Sequence, residues 1–374
     1  MTDTADILVI GGGMAGIGAA ARVAPSAKVI VLEAEDAPGR HSTGRSAAIF
    51  IANYGNAAVR AANAASQGEL ADPPDDLAES SLLTPRGELL IATAEEIERF
   101  EQHMAGASET EEISPDEAVR RFPILKRERV VRACYDSTAE DIDVDRLLQG
   151  YLRLLRRHGG RLVASARATQ ITRSNGVWRV TTPAGTFEAP MVVNASGAWA
   201  DKTAELAGLA PLGLTPLRRS AAILPAPEGC DVTRWPAVCS MSETWYAKPE
   251  AGKLMVSPAD EDPVEPHDAW PDDMVLAEGL DRYEQAVTVP VTRVERTWAG
   301  LRTFAPDRTP VVGLDPAAEG FFWLAGQGGY GIQTAPALSR LAAALLTGQD
   351  GIAVLPAEVV ATLAPDRLRR DSSR

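Results

Sequence analysis

The chain is poor in the residues that build metal and hydrolytic centres. It contains four histidines and three cysteines, Cys134, Cys230 and Cys239. The cysteines lack CxxC spacing, which argues against a zinc site or disulfide framework and favours a reducing compartment. The histidines do not cluster and neither HExxH nor GxSxG occurs, so no metal site and no hydrolase is expected. Basic residues are also short. Against 51 acids stand 37 lysines and arginines, a net charge of −14, with a pI near 4.9. That balance argues against nucleic acid and anionic membrane surfaces as partners, since both want basic patches, and leaves peripheral membrane contact open. No apolar run approaches the ~18 residues of a membrane span. The N-terminus lacks the basic-then-apolar order of a signal peptide. A cytoplasmic protein without stable membrane insertion is the expectation.

Apolar residues make up 45% of the 374, enough to bury a sizeable core in two domains or one composite. "ADILVI" (5–10) is an apolar run that stops at Gly11, as a buried parallel strand does. A helix is expected over 14–24 and a second strand at "KVIVLE" (28–33). Residues 56–66 and 95–121 read as helical, with Ser114 and Glu117 spaced as a capping box. An amphipathic helix runs from about Asp143 to Gly159 and Gly160. Turn signals at "SNG" and "PAG" follow, predicting a small antiparallel set of strands. "MVVNASGAW" reads as a buried strand entering a glycine turn. Residues 217–305 are strand-rich around one helix at 275–287. A last strand at 320–325 leads into a helix from about Gln333, and the tail after Asp366 is expected to fray. Together these predict an α/β (α+β composite) fold, a Rossmann-like domain interleaved with an antiparallel β-sheet domain.

"GGGMAGIGAA" places Gly11, Gly13 and Gly16 in the GxGxxG pattern, with Met14 and Ala15 inside it. The first glycine permits the tight turn, the second close approach of a pyrophosphate, the third helix–strand packing. The helix N-terminus then offers free N–H groups and a positive dipole end. Glu33, followed by Ala34, ends the second strand where an acid bonds a ribose 2′-hydroxyl. An unphosphorylated ribose follows, hence FAD or NAD over NADP.

"HSTGRSAA" (41–48) decides between them. His41, Ser42, Thr43, Arg45 and Ser46 suit a flavin's pyrophosphate and ribityl chain, and Ala47 and Ala48 its ring edge; an ordinary capped helix is the competing reading. Two more segments bring small residues to a cofactor: "NASGAW", with Ala195 and Gly197, and "GQGGYGIQT", with Gly328, Gly329, Tyr330, Gly331, Ile332 and Gln333. N–H groups in the latter can face a flavin's pyrimidine end, or simply start a helix. Arg302, near Trp298 and Phe304 and after Gly300, sits in apolar company and wants an anionic partner. A bidentate carboxylate clamp and a structural salt bridge both satisfy it, and Arg219 carries the same ambiguity. Tyr246 either lines a site or caps a core hydrogen bond. Glu88 either faces a site or points to solvent.

In order along the chain, "ADILVIGGGMAG", "HSTGRSAA", "ADID", "QGYLR", "PLGL", "RRSA", "YAKP", "TWAGLR" and "EGFFWLAGQGGYGIQT" resemble the D-amino-acid oxidase superfamily of FAD proteins. Within it the likeness is to the bacterial D-arginine dehydrogenases, which are broad-specificity D-amino-acid dehydrogenases. The resemblance implies a discontinuous FAD domain (1–80, 143–215, 300–374) and a substrate domain (81–142, 216–299). It implies that Arg219 and Arg302 clamp the substrate carboxylate and that Tyr54 and Tyr246 line the site with them. Glu88 would meet a cationic side chain, Ala168 the adenosine, and Gly329 and Gln333 substrate or flavin. Where those relatives keep a histidine after "SAA", this chain has Ile49; Ile51 replaces a threonine, and Ala237 and Cys239 replace a methionine and a valine.

The expected reaction is oxidation of a D-amino acid to a 2-oxo acid and ammonia, with hydride leaving the α-carbon for flavin N5. FAD is expected to be non-covalent, because related sarcosine oxidases use a cysteine that "LRTFAPD" lacks. The absence of a placeable lysine over the ring favours a quinone or electron-transfer protein over oxygen as acceptor. The rivals are an oxidase of glycine, sarcosine or imino acids, a non-catalytic FAD and carboxylate sensor, and an NAD-dependent dehydrogenase.

Overall fold

The computed structural model describes residues 2–349 and 353–369. The opening unit forms as expected: strand Ile7–Ile10, helix Met14–Val23, strand Val29–Leu32. Both strands are buried along their whole length, which is why their sequences are continuous apolar runs rather than alternating ones. They lie inside a six-stranded sheet ordered Arg161–Val163, Val29–Leu32, Ile7–Ile10, Met191–Asn194, Phe321–Ala325, Val311–Leu314. All neighbours pair in parallel except the last, which is antiparallel.

Alternate side chains of this sheet serve two cores. Ile7, Val9, Val29, Val31 and Val193 pack against helices Met14–Val23, Val144–Arg157 and Ala335–Leu346. Leu8, Ile10, Ile30, Leu32 and Val192 pack against Ile171, Trp178, Val180 and Phe187. The latter belong to the expected antiparallel set, Gln170–Ser174, Val177–Thr182 and Gly185–Ala189, joined by Thr2–Thr4.

The second large sheet has nine strands. Its backbone is the pair Thr215–Leu224 and Arg296–Phe304, in antiparallel register from Thr215 with Phe304 to Ile223 with Arg296. From Thr215–Leu224 the sheet runs through Lys253–Ser257, Tyr246–Glu250, Ala237–Ser240, Glu88–Ala92 and Arg132–Asp136 to Thr110–Ile113. Helix Asp273–Ala286 covers one face, through Leu276, Leu280 and Tyr283.

One helical expectation is corrected. Residues 95–121 do not form a single helical stretch; Ile97–Gly106 and Pro115–Arg121 are separated by strand Thr110–Ile113. Glu109 has φ +60°, which turns the chain, and Thr110–Ile113 then pairs with the open edge of Arg132–Asp136. Ser114 caps the second helix by accepting from the Glu117 N–H at 3.1 Å. In the tail, Asp366–Arg369 is helical rather than frayed; residues from 370 onward lie outside the described ones. Among the described residues no helix is long and apolar enough to cross a membrane.

Candidate active site

A cavity of about 1020 Å³ is lined by residues of both large sheets, at the top of the range for small-molecule sites. At one end lies the glycine fingerprint. Gly11 has φ +114°, and a Cβ there would meet the Ala195 oxygen at 2.3 Å. Gly16 is the one site residue read from the sequence that does not line the cavity. It is a packing residue, as its place in the motif implies: its Cβ would fall 2.0 Å from the Gly11 oxygen. Gly13 differs. A Cβ there would meet only Thr43 Oγ1, at 3.4 Å, so its open side faces the cavity.

Glu33 is buried, and its carboxylate accepts from the Gly12 N–H at 2.7 Å and the Glu35 N–H at 2.8 Å. It therefore shapes the glycine loop as well as facing the cavity, where Ala34, Ala168, Ala195 and Gly197 join it.

The segment 41–48 lines the middle of the cavity, but its polar side chains are not free as the sequence suggested. Ser42 Oγ donates to the Leu301 carbonyl at 2.6 Å, and Ser46 Oγ to that of Thr43 at 3.3 Å. Arg45 donates to the carbonyls of Ala269 (3.0 Å) and Ala299 (2.9 Å) and pairs with Asp268. Thr43 Oγ1 accepts from the Met14 N–H at 3.0 Å. His41 lies against Trp199, its Nε2 3.2 Å from Glu35. These groups fasten Ser42–Arg45, a short 3₁₀ turn rather than a capped helix, to strand Arg296–Phe304 and to the glycine loop. An extended loop of this kind needs its polar groups satisfied internally. What it shows the cavity is mainly backbone and the small Ala47 and Ala48.

Ala48 has φ +52°, unusual for a residue with a Cβ. The kink is held from behind. Lys248 is only 4% exposed, and its Nζ donates to the Ala47 carbonyl at 2.9 Å and pairs with Asp141 at 3.0 Å. Asp141 also accepts from Arg86 Nε at 2.8 Å and Nη2 at 2.6 Å. Sequence reading missed Lys248, Asp141 and Arg86 as supports. The signal available was Lys248 between Ala247 and Pro249 in a strand, since a lysine on an inward-facing strand position wants an acidic partner.

The C-terminal glycine turn closes the cavity near Arg302. Gly331, Ile332 and Gln333 make no hydrogen bond through their N–H groups among the described residues. Thr303 Oγ1 and Gln327 Nε2 are buried beside them without a partner among the described residues. The Gln333 amide brackets Ile51, accepting from its N–H at 3.2 Å and donating to its carbonyl at 3.4 Å. Unpartnered donors at this end and an open glycine cradle at the other fit an elongated polar cofactor with a pyrophosphate in its middle.

Beyond the turn lie Ile49, Tyr54, Glu88, Arg219, Tyr246, Gly300, Arg302, Gly329 and Tyr330, all lining the same cavity. Arg302 Nη1 donates to Tyr54 OH at 3.4 Å, and no carboxylate stands within 4.0 Å of it among the described residues. Burial works against the guanidinium's charge, but the Tyr54 and Tyr246 hydroxyls and Glu261 outweigh it and leave its pKa raised. Arg219 is not equally free: Nε donates to the Asp260 carbonyl at 2.8 Å and Nη2 pairs with Glu261 at 3.1 Å. Tyr54 packs edge-on to Tyr330, and burial raises its phenol pKa, so it stays protonated.

Glu88 points inward rather than to solvent. Burial first, then Asp136 and Glu243, push its carboxyl up to about 8. Asp136, Glu243, Arg99 and His103 line the cavity on this side, Arg99 and Glu243 at its exposed margin, and were not legible as site residues. Cys239 lies here too, its thiol pushed well above the usual range by burial.

These features define a flavin-dependent oxidoreductase. The chain belongs to the DAO family, described as FAD dependent oxidoreductase, whose sequence model matches residues 6–345. FAD is its cofactor. The chain is 26% identical over 267 residues to human mitochondrial dimethylglycine dehydrogenase, covering 65% of this chain and 31% of that protein. It therefore spans about a third of that curated relative's length. Its fold matches the crystal structure of glycine oxidase from Geobacillus kaustophilus, with TM-score 0.82, 22% identity and coverage of 93% and 96%. It also matches L-proline dehydrogenase from P. horikoshii, with TM-score 0.83, 23% identity and 99% coverage of both chains. The resemblance is thus borne out for the family; these comparisons do not single out D-arginine dehydrogenases.

Proposed function

We propose that the protein oxidises the C–N bond of an amino acid, with D-amino acids as the preferred class. The observation that carries this reading is Arg302, a half-buried guanidinium facing the cavity with no carboxylate of its own among the described residues. A buried unpaired charge is costly, so a ligand carboxylate is its natural partner. With Arg219 beside it, two sides of that carboxylate are fixed. Tyr54, protonated, donates from the rim, and Tyr246 walls the other flank. Ile49 and Ala48 give the cavity an apolar floor that excludes water near the reacting carbon.

Bound FAD supplies the hydride acceptor. The protein's residues orient the α-carbon, and the fixed carboxylate converts a bimolecular encounter into a positioned one. No side chain is required as a strong base: the substrate amine must be neutral, so turnover rises with pH as it deprotonates. Glu88, Asp136 and Glu243 receive the substrate's side chain. The proposed division of the chain is FAD domain 1–80, 143–215 and 300–374, and substrate domain 81–142 and 216–299. FAD is proposed to be non-covalent, since "LRTFAPD" has no cysteine. Lys202 is the single lysine lining the described cavity and lies beside Trp199, Thr203 and Leu206. A quinone or electron-transfer protein is therefore the proposed acceptor.

An anaerobic screen of D- and L-amino acids for bleaching of the flavin tests this. Bleaching by D-amino acids supports it. Bleaching by glycine, sarcosine or proline alone supports the second reading, a glycine or imino-acid oxidase, which the dimethylglycine, glycine and proline enzymes among its relatives favour. No bleaching by any amine points to a carboxylate sensor.

A further inference from the structure

Glu261 joins two arginines at the cavity wall. Its carboxylate takes Arg308 Nη1 at 3.0 Å and Nη2 at 2.8 Å, a two-pronged pair, and Arg219 Nη2 at 3.1 Å. Arg308 is itself braced, its guanidinium 3.9 Å from the centre of the Phe304 ring. All four groups line the cavity or pack beside it, and Glu261 and Arg308 are each partly open to solvent. Arg302, the neighbouring arginine, has no such resident anion.

We propose that Glu261 is an internal counter-ion that competes with ligand carboxylates for Arg219, and that Arg308 tunes this competition by drawing Glu261 away. The proposal rests on the carboxylate-clamp reading of Arg219 and Arg302. Its logic is electrostatic. A ligand carboxylate approaching Arg219 meets one negative charge already there, and the two repel. Arg219 is tied to Asp260 through Nε whatever Glu261 does, so its orientation does not depend on the ion pair. Glu261 is held at both oxygens by Arg308 but touches Arg219 with one, so Arg308 is where it rests when a ligand takes its place. Without Arg308 the whole of Glu261's charge falls to Arg219. The two residues thereby set how strongly the clamp binds a carboxylate, without either contacting it.

The test is acetate binding to the holoprotein, read from the change in flavin absorbance at constant ionic strength. In Glu261→Gln the Kd for acetate falls about three- to tenfold, the effect of removing one partly screened charge. In Arg308→Gln it rises by a similar factor, and this second variant decides the matter if the first does not fold. In the double variant, loss of Arg308 weakens acetate binding less than it does in the wild-type background. An unchanged or higher Kd in Glu261→Gln, or an unchanged one in Arg308→Gln, overturns the proposal while leaving the clamp intact. If wild-type holoprotein binds no acetate, the clamp and the counter-ion fall together.

Discussion

Glu88 and Asp136 stand directly opposite one another on paired antiparallel strands, and both line the cavity. Carboxylates so placed repel each other, and burial raises the cost of ionising Glu88 further. Its carboxyl is accordingly pushed up to about 8 from an ordinary value of 4.5. Between those values the folded protein holds a proton that the unfolded chain has released. Stability is therefore fully present below about pH 4.5 and falls as pH rises toward 8. Glu88→Gln removes this slope, so in thermal melts the variant gains on wild type between pH 6 and 9. The gain is bounded by about 5 kcal/mol, at roughly 1.4 kcal/mol for each pKa unit.

The same proton governs selectivity. A cationic side chain is welcome only where Glu88 is ionised, so kcat/KM for D-arginine relative to D-leucine rises as pH passes 8. In Glu88→Gln that ratio is flat with pH and lower at pH 9. Equal pH profiles for the two substrates in wild type would remove Glu88 from the side-chain pocket.

Arg302→Met raises KM for any amino acid at least a hundredfold, the cost of losing a bidentate carboxylate contact. Because half-buried Arg302 has no carboxylate within 4.0 Å among the described residues, the ligand-free variant is no less thermostable than wild type. An unchanged KM, or a large loss of thermal stability, shows Arg302 to be structural.

Two glycines of the fingerprint separate when replaced. Gly13→Ala puts a methyl into the open side of the cradle, so the protein folds but purifies without yellow colour. Gly16→Ala drives a methyl to 2.0 Å from the Gly11 oxygen and lowers the melting temperature of the protein itself. Calorimetry and the flavin-to-protein absorbance ratio distinguish them.

Lys248→Met leaves the half-buried Asp141 with one cation, Arg86, instead of two and frees the Ala47 carbonyl. Breaking a buried pair costs about 3–5 kcal/mol. The variant melts earlier and holds FAD more weakly, measured by equilibrium dialysis, because the Ala47–Ala48 kink loses its support. Retained FAD affinity alongside lower stability confines Lys248 to the fold.

The strand–glycine–helix–strand opening was legible because each signal is local: apolar runs, glycines at fixed spacing, an acid at the second strand's end. The segment 41–48 was legible as a cavity-lining segment but not in its detail. Ser42 and Arg45 grip Leu301, Ala269, Ala299 and Asp268, more than 220 positions away, and no spacing rule reports such partners. The split of 95–121 was missed for the same reason. The polar residues of "SETEEI" (108–113) do not announce a strand; the free edge of Arg132–Asp136 makes Thr110–Ile113 one.

By itself the sequence determined the cofactor class, the α/β fold class and most positions that face the cavity, because backbone needs and apolar periodicity are written in consecutive residues. Tertiary structure alone decided which charges stand free. Arg219 and Arg302 look alike in sequence, yet Glu261 pairs directly with the first and acts on the second only at longer range. Glu88 reads as an ordinary strand acid until Asp136 and Glu243 are brought beside it. Charge state and availability depend on distance and burial, which only the folded chain sets.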